Sequence, residues 1–175
     1  MIEAVLIFNL HGTPRLSKFY RHYSEQKQQQ IIRQVYQIVA KRGEAVCNFI
    51  EGGDTILGDK SLKIIYRHYA TLYIVFCVDS SESELAILDL IQVFVEILDK
   101  CFKNVCELDL IFHVDKVHYV LNEIIIGGLV IDNSMSSILQ SLEEQKKLEK
   151  NEINKVPVKL DYYEIMTILN TRCHN

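Results

Sequence analysis

Between Glu82 and Phe102 the chain carries a helical pattern that is apolar around most of its circumference. Ser81-x-x-Glu84 reads as a capping box opening that helix. Its polar positions, Asp89, Gln92, Glu96, Asp99, Lys100 and Lys103, fall in one narrow stripe. Leu85, Ile87, Leu88, Leu90, Ile91, Val93, Phe94, Val95, Ile97 and Leu98 occupy the rest. A helix lying on a sheet needs only one apolar stripe. The surplus has to be covered from elsewhere, and in a chain of 175 residues the expected source is another protein chain.

The sheet is legible upstream of this helix. Residues 2–9 place Ile2, Ala4, Leu6 and Phe8 on one side and Val5 and Ile7 on the other. Apolar residues on both faces suit a strand in the middle of a sheet. His11-Gly12-Thr13-Pro14 then marks a turn, and Arg15–Tyr20 alternates again, which predicts an antiparallel hairpin. Ser24 is the expected N-cap of a helix running to Lys41-Arg42, with Gly43 as its stop. Ile31, Val35 and Ile38, flanked by Ile32 and Val39, form its apolar face. Three strands follow: Val46–Glu51, Leu62–Tyr69 and the β-branched, aromatic Leu72–Val78. Past the long helix, a second helix is expected from about Asp115 to Ile126, ended by Gly127-Gly128. Asn133 or Ser134 caps a third, and Pro157 breaks the weakening pattern beyond it. The expected order is β-β-α-β-β-β-α-α-α. That is an α/β fold with a five-stranded antiparallel meander flanked by helices, a single domain with a tail from Asn151 to the end.

Composition narrows the function. With 19 Lys+Arg against 23 Asp+Glu the formal charge is −4, so there is no basic footprint for nucleic acid. No stretch free of Asp, Glu, Lys and Arg exceeds eleven residues (His68–Val78 is one), whereas a membrane helix needs about 20. Met1-Ile2-Glu3 starts with an acid where a signal peptide carries positive charge, so a soluble, cytosolic chain is expected. Cys47, Cys77, Cys101, Cys106 and Cys173 make no C-x-x-C pair, and reduced structural thiols are expected.

Few residues look catalytic. Gly53–Ser61 imitates a phosphate loop, but Asp59 stands between Gly58 and Lys60, and a strand follows where a helix is required. His113, Asp115 and His118 lack the spacing of a metal-binding helix. No Gly-x-Ser-x-Gly elbow occurs. Arg15, His22, Arg67 and His68 give positive character near the hairpin and the fourth strand, and read more as a solvated face than as a binding site. Neither catalysis, nor a metal, nor a cofactor is expected.

One local signature is specific: two aliphatics, Tyr, a base, four residues, then Leu-Tyr-Phe. It stands here as Ile64-Ile65-Tyr66-Arg67-His68-Tyr69-Ala70-Thr71-Leu72-Tyr73-Ile74, departing only in Ile74. With Pro14–Tyr20 and Asn104-Val105-Cys106-Glu107-Leu108-Asp109-Leu110, the chain resembles the small (sigma) subunits of the heterotetrameric clathrin-adaptor complexes over residues 1–148. His68–Tyr73, Asp79–Leu85, Leu88–Glu96 and Leu98–Phe102, together with the long loop 52–61, are most similar to the sigma subunit of adaptor protein complex 3.

The resemblance implies a longin-like fold and a permanent place beside two large adaptin subunits and one medium subunit. It implies peripheral membrane association through that complex, on the cytosolic face of Golgi, endosomal and vesicle membranes. Transport from the trans-Golgi or endosomes towards lysosomes and related organelles follows from it, as does contact with cytoplasmic tails of membrane cargo bearing acidic dileucine signals. Carried over by position, Ala70, Leu72, Val95 and Val105 line the two-leucine pocket, Asn104 lies beside it, and Arg15 faces the acidic residue. The competing reading is a longin-type regulatory or tethering module without a cargo pocket.

Overall fold

Ile2–Asn9 (β1) is buried at every position, and that burial dictates the sheet. A strand apolar on both faces belongs at the centre, with a neighbour on each side. β1 pairs antiparallel with Pro14–Phe19 (β2) on one side and with Leu72–Val78 (β5) on the other. The computed structural model describes residues 1–42, 47–51 and 62–153. Within them Phe49–Glu51 (β3) and Lys63–Tyr69 (β4) complete a five-stranded antiparallel sheet in the order β2-β1-β5-β4-β3. The sheet is therefore not a simple meander. β2, with exposed Pro14 and Ser17, takes an edge, and the chain crosses over to return beside β1 through β5. The start of the expected third strand at Val46, the helix stop at Gly43, the loop 52–61 and residues 154–175 lie outside the described residues.

One helix covers each face. Glu25–Ala40 (α1) is capped by Ser24, whose Oγ accepts from the Lys27 N–H at 3.4 Å. It sets Ile31, Ile32, Val35 and Val39 against Ala4, Leu6, Phe8, Ile64, Tyr66, Val75 and Cys77, while Ile38 is only partly buried. Strand alternation points Val5, Ile7, Ile65, Ile74 and Phe76, all buried, to the other face. There Glu84–Phe102 (α2) packs on β4 and β5.

Three expectations change downstream of the sheet. The capping box does not form: Ser83 is the N-cap without a side-chain bond, and the Ser81 hydroxyl donates to Asp79 instead. Most of the surplus apolar circumference of α2 is covered by this chain itself. Val114–Ile124 (α4) packs against α2 with Val117, Val120, Leu121 and Ile124 fully buried. On α2, Leu85 remains 68% exposed. Gly127-Gly128 is a hairpin turn and not a helix stop: Ile125–Ile126 (β6) pairs with Leu129–Val130 (β7). Gly128 has φ +83°, and its carbonyl accepts from the Ile2 N–H at 2.9 Å. A Cβ there would meet the Ile2 carbonyl oxygen at 2.3 Å, so only glycine fits.

A short helix not expected from the sequence, Glu107–Phe112 (α3), precedes α4. Its capping box joins Cys106 and Asp109, and the Cys106 N–H donating to Asp109 holds that carboxyl below its usual range. The last helix, Met135–Ile153 (α5), begins where the capping residues at 133–134 place it. Met1–Leu139 form one compact unit and the chain from Gln140 a second. In the second, Gln140 donates to Glu144 one turn on, at 3.0 Å. Among the described residues no helix is long and apolar enough to cross a membrane.

Candidate functional site

The site is built at the corner where β1 ends, β2 begins and α2 runs out. Asn9, last in β1, is 5% exposed. Its Oδ1 accepts from the N–H groups of His11 and Thr13 at 3.0 and 2.8 Å, an Asx-type closure of the turn read from His11-Gly12-Thr13-Pro14. Gly12 completes the turn at φ +81°, where any Cβ would run into the Tyr36 ring at 2.4 Å. The turn thereby fixes Arg15. The guanidinium donates through Nε and Nη2 to a single oxygen, Oε1 of Glu107, at 2.8 and 2.5 Å. Asn9 Nδ2 donates to that same oxygen at 3.0 Å. The Asn9 hydrogen bond and then Arg15 hold the Glu107 carboxyl below its ordinary value.

A second hub lies across the corner. Asp99, near the end of α2, accepts from the Tyr69 hydroxyl at 2.6 Å on Oδ2 and from the Val105 N–H at 2.8 Å on Oδ1. Its carbonyl takes the Lys103 N–H at 2.7 Å. The hydrogen bond to Asp99 raises the Tyr69 phenol above its usual value. Lys103 and Asn104 follow in the left-handed region at φ 57° and 78°, and Ala70 turns from β4 to β5 at φ 51°. Among the described residues, all three non-glycine positions of positive φ thus stand at this corner, a concentration typical of functional sites.

These two hubs bring the predicted residues together. Leu72 pairs with Asn9 on one side and Tyr69 on the other, while Val95 lies one turn before Asp99 on α2. Val105 is tied to Asp99, and Arg15 reaches the corner through Glu107. Leu72 and Val95 are 2% exposed and Val105 7%, whereas Ala70 and Asn104 are exposed. In the isolated chain, then, the apolar lining is closed.

The remaining basic residues do not join Arg15. β1 and β5 separate β2 from β4, which sets Arg67 about 14 Å from the β2 register by strand spacing. Arg67 Nη1 donates to Gln92 at 2.6 Å, and exposed His68 packs on Tyr73 with ring centroids 4.7 Å apart. His22 is exposed. His113 sits between α3 and α4 against Phe102. Burial, and then Lys18, hold His118 below the ordinary histidine value. No group of three His, Cys, Asp or Glu able to hold a metal occurs among the described residues. Cys77 is fully buried, and burial pushes its thiol up to about 12, which makes it a packing residue.

Sequence reading missed Asn9, Tyr69, Asp99 and Glu107. Asn9 had a usable signal, an Asx residue ahead of a Gly-Thr-Pro turn. The other three make contacts 30 or 92 residues away and carry no local mark.

Fold and corner together define a small module with a helix-flanked antiparallel sheet. Residues 1–149 match the family described as Clathrin adaptor complex small chain, and the chain belongs to that family. AP-3 complex subunit sigma-2 of Homo sapiens is 61% identical over 152 residues, covering 87% of this chain and 78% of that protein. AP-3 complex subunit sigma of Dictyostelium discoideum is 63% identical over 153 residues, covering 87% and 90%. A chain in the structure titled "Homology model of the full-length AP-3 complex in a stretched open conformation" superposes with a TM-score of 0.69 at 42% identity. That match covers 89% of this chain and 99% of the other.

Proposed function

We propose that this chain is the sigma subunit of a type 3 heterotetrameric adaptor, a non-enzymatic coat protein. It assembles with two large subunits and one medium subunit, with residues 1–148 as the adaptor domain and 149–175 as a tail. Through that complex it works on the cytosolic face of Golgi, endosomal and vesicle membranes and sorts cargo towards lysosomes and related organelles. The identities to AP-3 sigma subunits from a mammal and an amoeba support this.

Its part in sorting is to help hold acidic dileucine signals, [Asp/Glu]-x3-Leu-[Leu/Ile]. The observation that carries this is the convergence of Arg15, Ala70, Leu72, Val95, Asn104 and Val105 on one corner, through Asn9–Glu107 and Tyr69–Asp99–Val105. Two leucines buried against Leu72, Val95 and Val105 contribute about 1.5–3 kcal/mol each. Ordering a flexible tail offsets much of that, so single contacts are weak and clustering on a membrane supplies avidity. Arg15 sets the register of the acidic residue.

The buried state of the apolar lining favours a second reading, a regulatory or tethering module whose corner never opens. Peptide binding to the reconstituted complex separates the two. On the cargo reading, Leu72→Ser or Val95→Asp abolishes the preference for a Leu-Leu peptide over its Ala-Ala counterpart. On the tethering reading no such preference exists in the wild type.

A further inference from the structure

The cation expected to meet an acidic ligand is not bare. Arg15 spends its Nε–Nη2 edge on Glu107, and the Glu107 oxygen is itself anchored by buried Asn9. Arg15 and Glu107 side chains are 23% and 28% exposed, so the pair stands at the surface, where a ligand meets both charges together. A guanidinium has two bidentate edges, and the one formed by Nη1 and Nη2 is left for a second carboxylate. That second carboxylate gains the hydrogen bonds of the fork. It also feels a charge half-cancelled by Glu107 and the repulsion of the Glu107 carboxylate a few ångströms away.

We infer that Glu107 is a specificity-determining residue, an internal counter-charge that caps the contribution of the acidic residue in a bound cargo signal and leaves the apolar positions to decide affinity. This rests on the dileucine reading of the corner. It makes the acidic position a register mark for a mono-anionic side chain. It also weakens the hold of the corner on free anions, which gain nothing from the apolar positions. Glutamine in place of Glu107 keeps the oxygen that accepts from Asn9 and Arg15, and removes only the charge.

The test uses the whole reconstituted adaptor complex and three peptides, Glu-x3-Leu-Leu, Gln-x3-Leu-Leu and Glu-x3-Ala-Ala. The quantity of interest is the ratio of affinities for the Glu and Gln peptides. In Glu107→Gln that ratio rises roughly three- to tenfold over wild type, Glu107→Asp retains the wild-type ratio, and the rise vanishes when Arg15→Gln is added. Should the Gln form fail to assemble, Glu107→Ser removes the same charge and carries the same expectation. A ratio that stays level or falls in the uncharged variants, while wild type still prefers Leu-Leu over Ala-Ala, overturns the counter-charge and leaves the dileucine reading standing. A wild-type complex indifferent to Leu-Leu removes both.

Discussion

The two faces of the sheet are covered by helices of opposite character. α1 is one-sided: Ile31, Ile32, Val35 and Val39 go inward, while Gln29, Gln30, Arg33 and Gln37 stay exposed. α2 is enclosed between the sheet and α4, with seven of its nineteen residues buried. A helix held from two directions cannot slide or tilt without disturbing both neighbours. The corner carrying Tyr69, Asp99 and Val105 stands on the end of that helix and borrows its rigidity. Beside the start of α1, buried Glu3 accepts from Arg21 at 3.1 Å and from the Tyr23 hydroxyl at 2.7 Å, so this face carries a polar cluster of its own, built on the hairpin strand and the helix entry and not on a helix enclosed from two sides.

Substitutions that strike the two helices unequally sharpen the contrast. Phe94→Ala empties a fully buried aromatic site on α2 and costs about 3–5 kcal/mol. Arg33→Ala, on the outer face of α1, stays within about 0.5 kcal/mol. Denaturant unfolding of the purified chain compares them, and equal costs would break the distinction between the two faces. Next in size is Asp99→Ala. It strips the partner from the Tyr69 hydroxyl and the Val105 N–H together and costs about 1–3 kcal/mol. Local hydrogen exchange at Val105 should rise with it; an unchanged rate would detach Asp99 from the loop.

Smaller still is the difference between two caps. Ser24→Ala removes a side-chain bond at the start of α1 and costs about 0.5–1 kcal/mol. Ser83→Ala at the start of α2 removes none and shifts stability by less than about 0.5 kcal/mol.

The smallest effect is the acid limb of stability. Glu107 has its folded carboxyl pKa depressed by Asn9 and Arg15, so its contribution is present above the unfolded carboxylate value of about 4.3. That contribution is lost as pH falls through the lower folded value. Glu107→Gln therefore flattens the stability profile below the unfolded value and leaves its shape above it. A variant profile parallel to wild type at every pH would contradict the assignment.

How far the sequence led depends on how local the cause was. β1, β5, α1 and the body of α2 were readable because period and caps are written in adjacent residues. α3 was not: Glu107–Phe112 is a single turn and a half, held by the Cys106–Asp109 box and by packing on β2 and α4. The β6–β7 hairpin hid behind an Ile124–Ile126 run that continues a helical stripe, and the docking of Gly128 on Ile2 decides it. The sequence points to another chain as the cover for α2 because nothing in residues 114–124 says which surface they fold over. At the corner, the apolar positions and Arg15 are legible only through the family resemblance. The groups that hold them, Asn9, Asp99 and Glu107, are defined by contacts between distant segments.

The four-part assembly proposed above is open to direct test. A tagged form, recovered from cytosol at moderate salt and analysed for partners in stoichiometric amount, tests it most directly. Two large subunits and one medium subunit, at one copy each, are the expected partners. Recovery of a monodisperse monomer without those partners would contradict it.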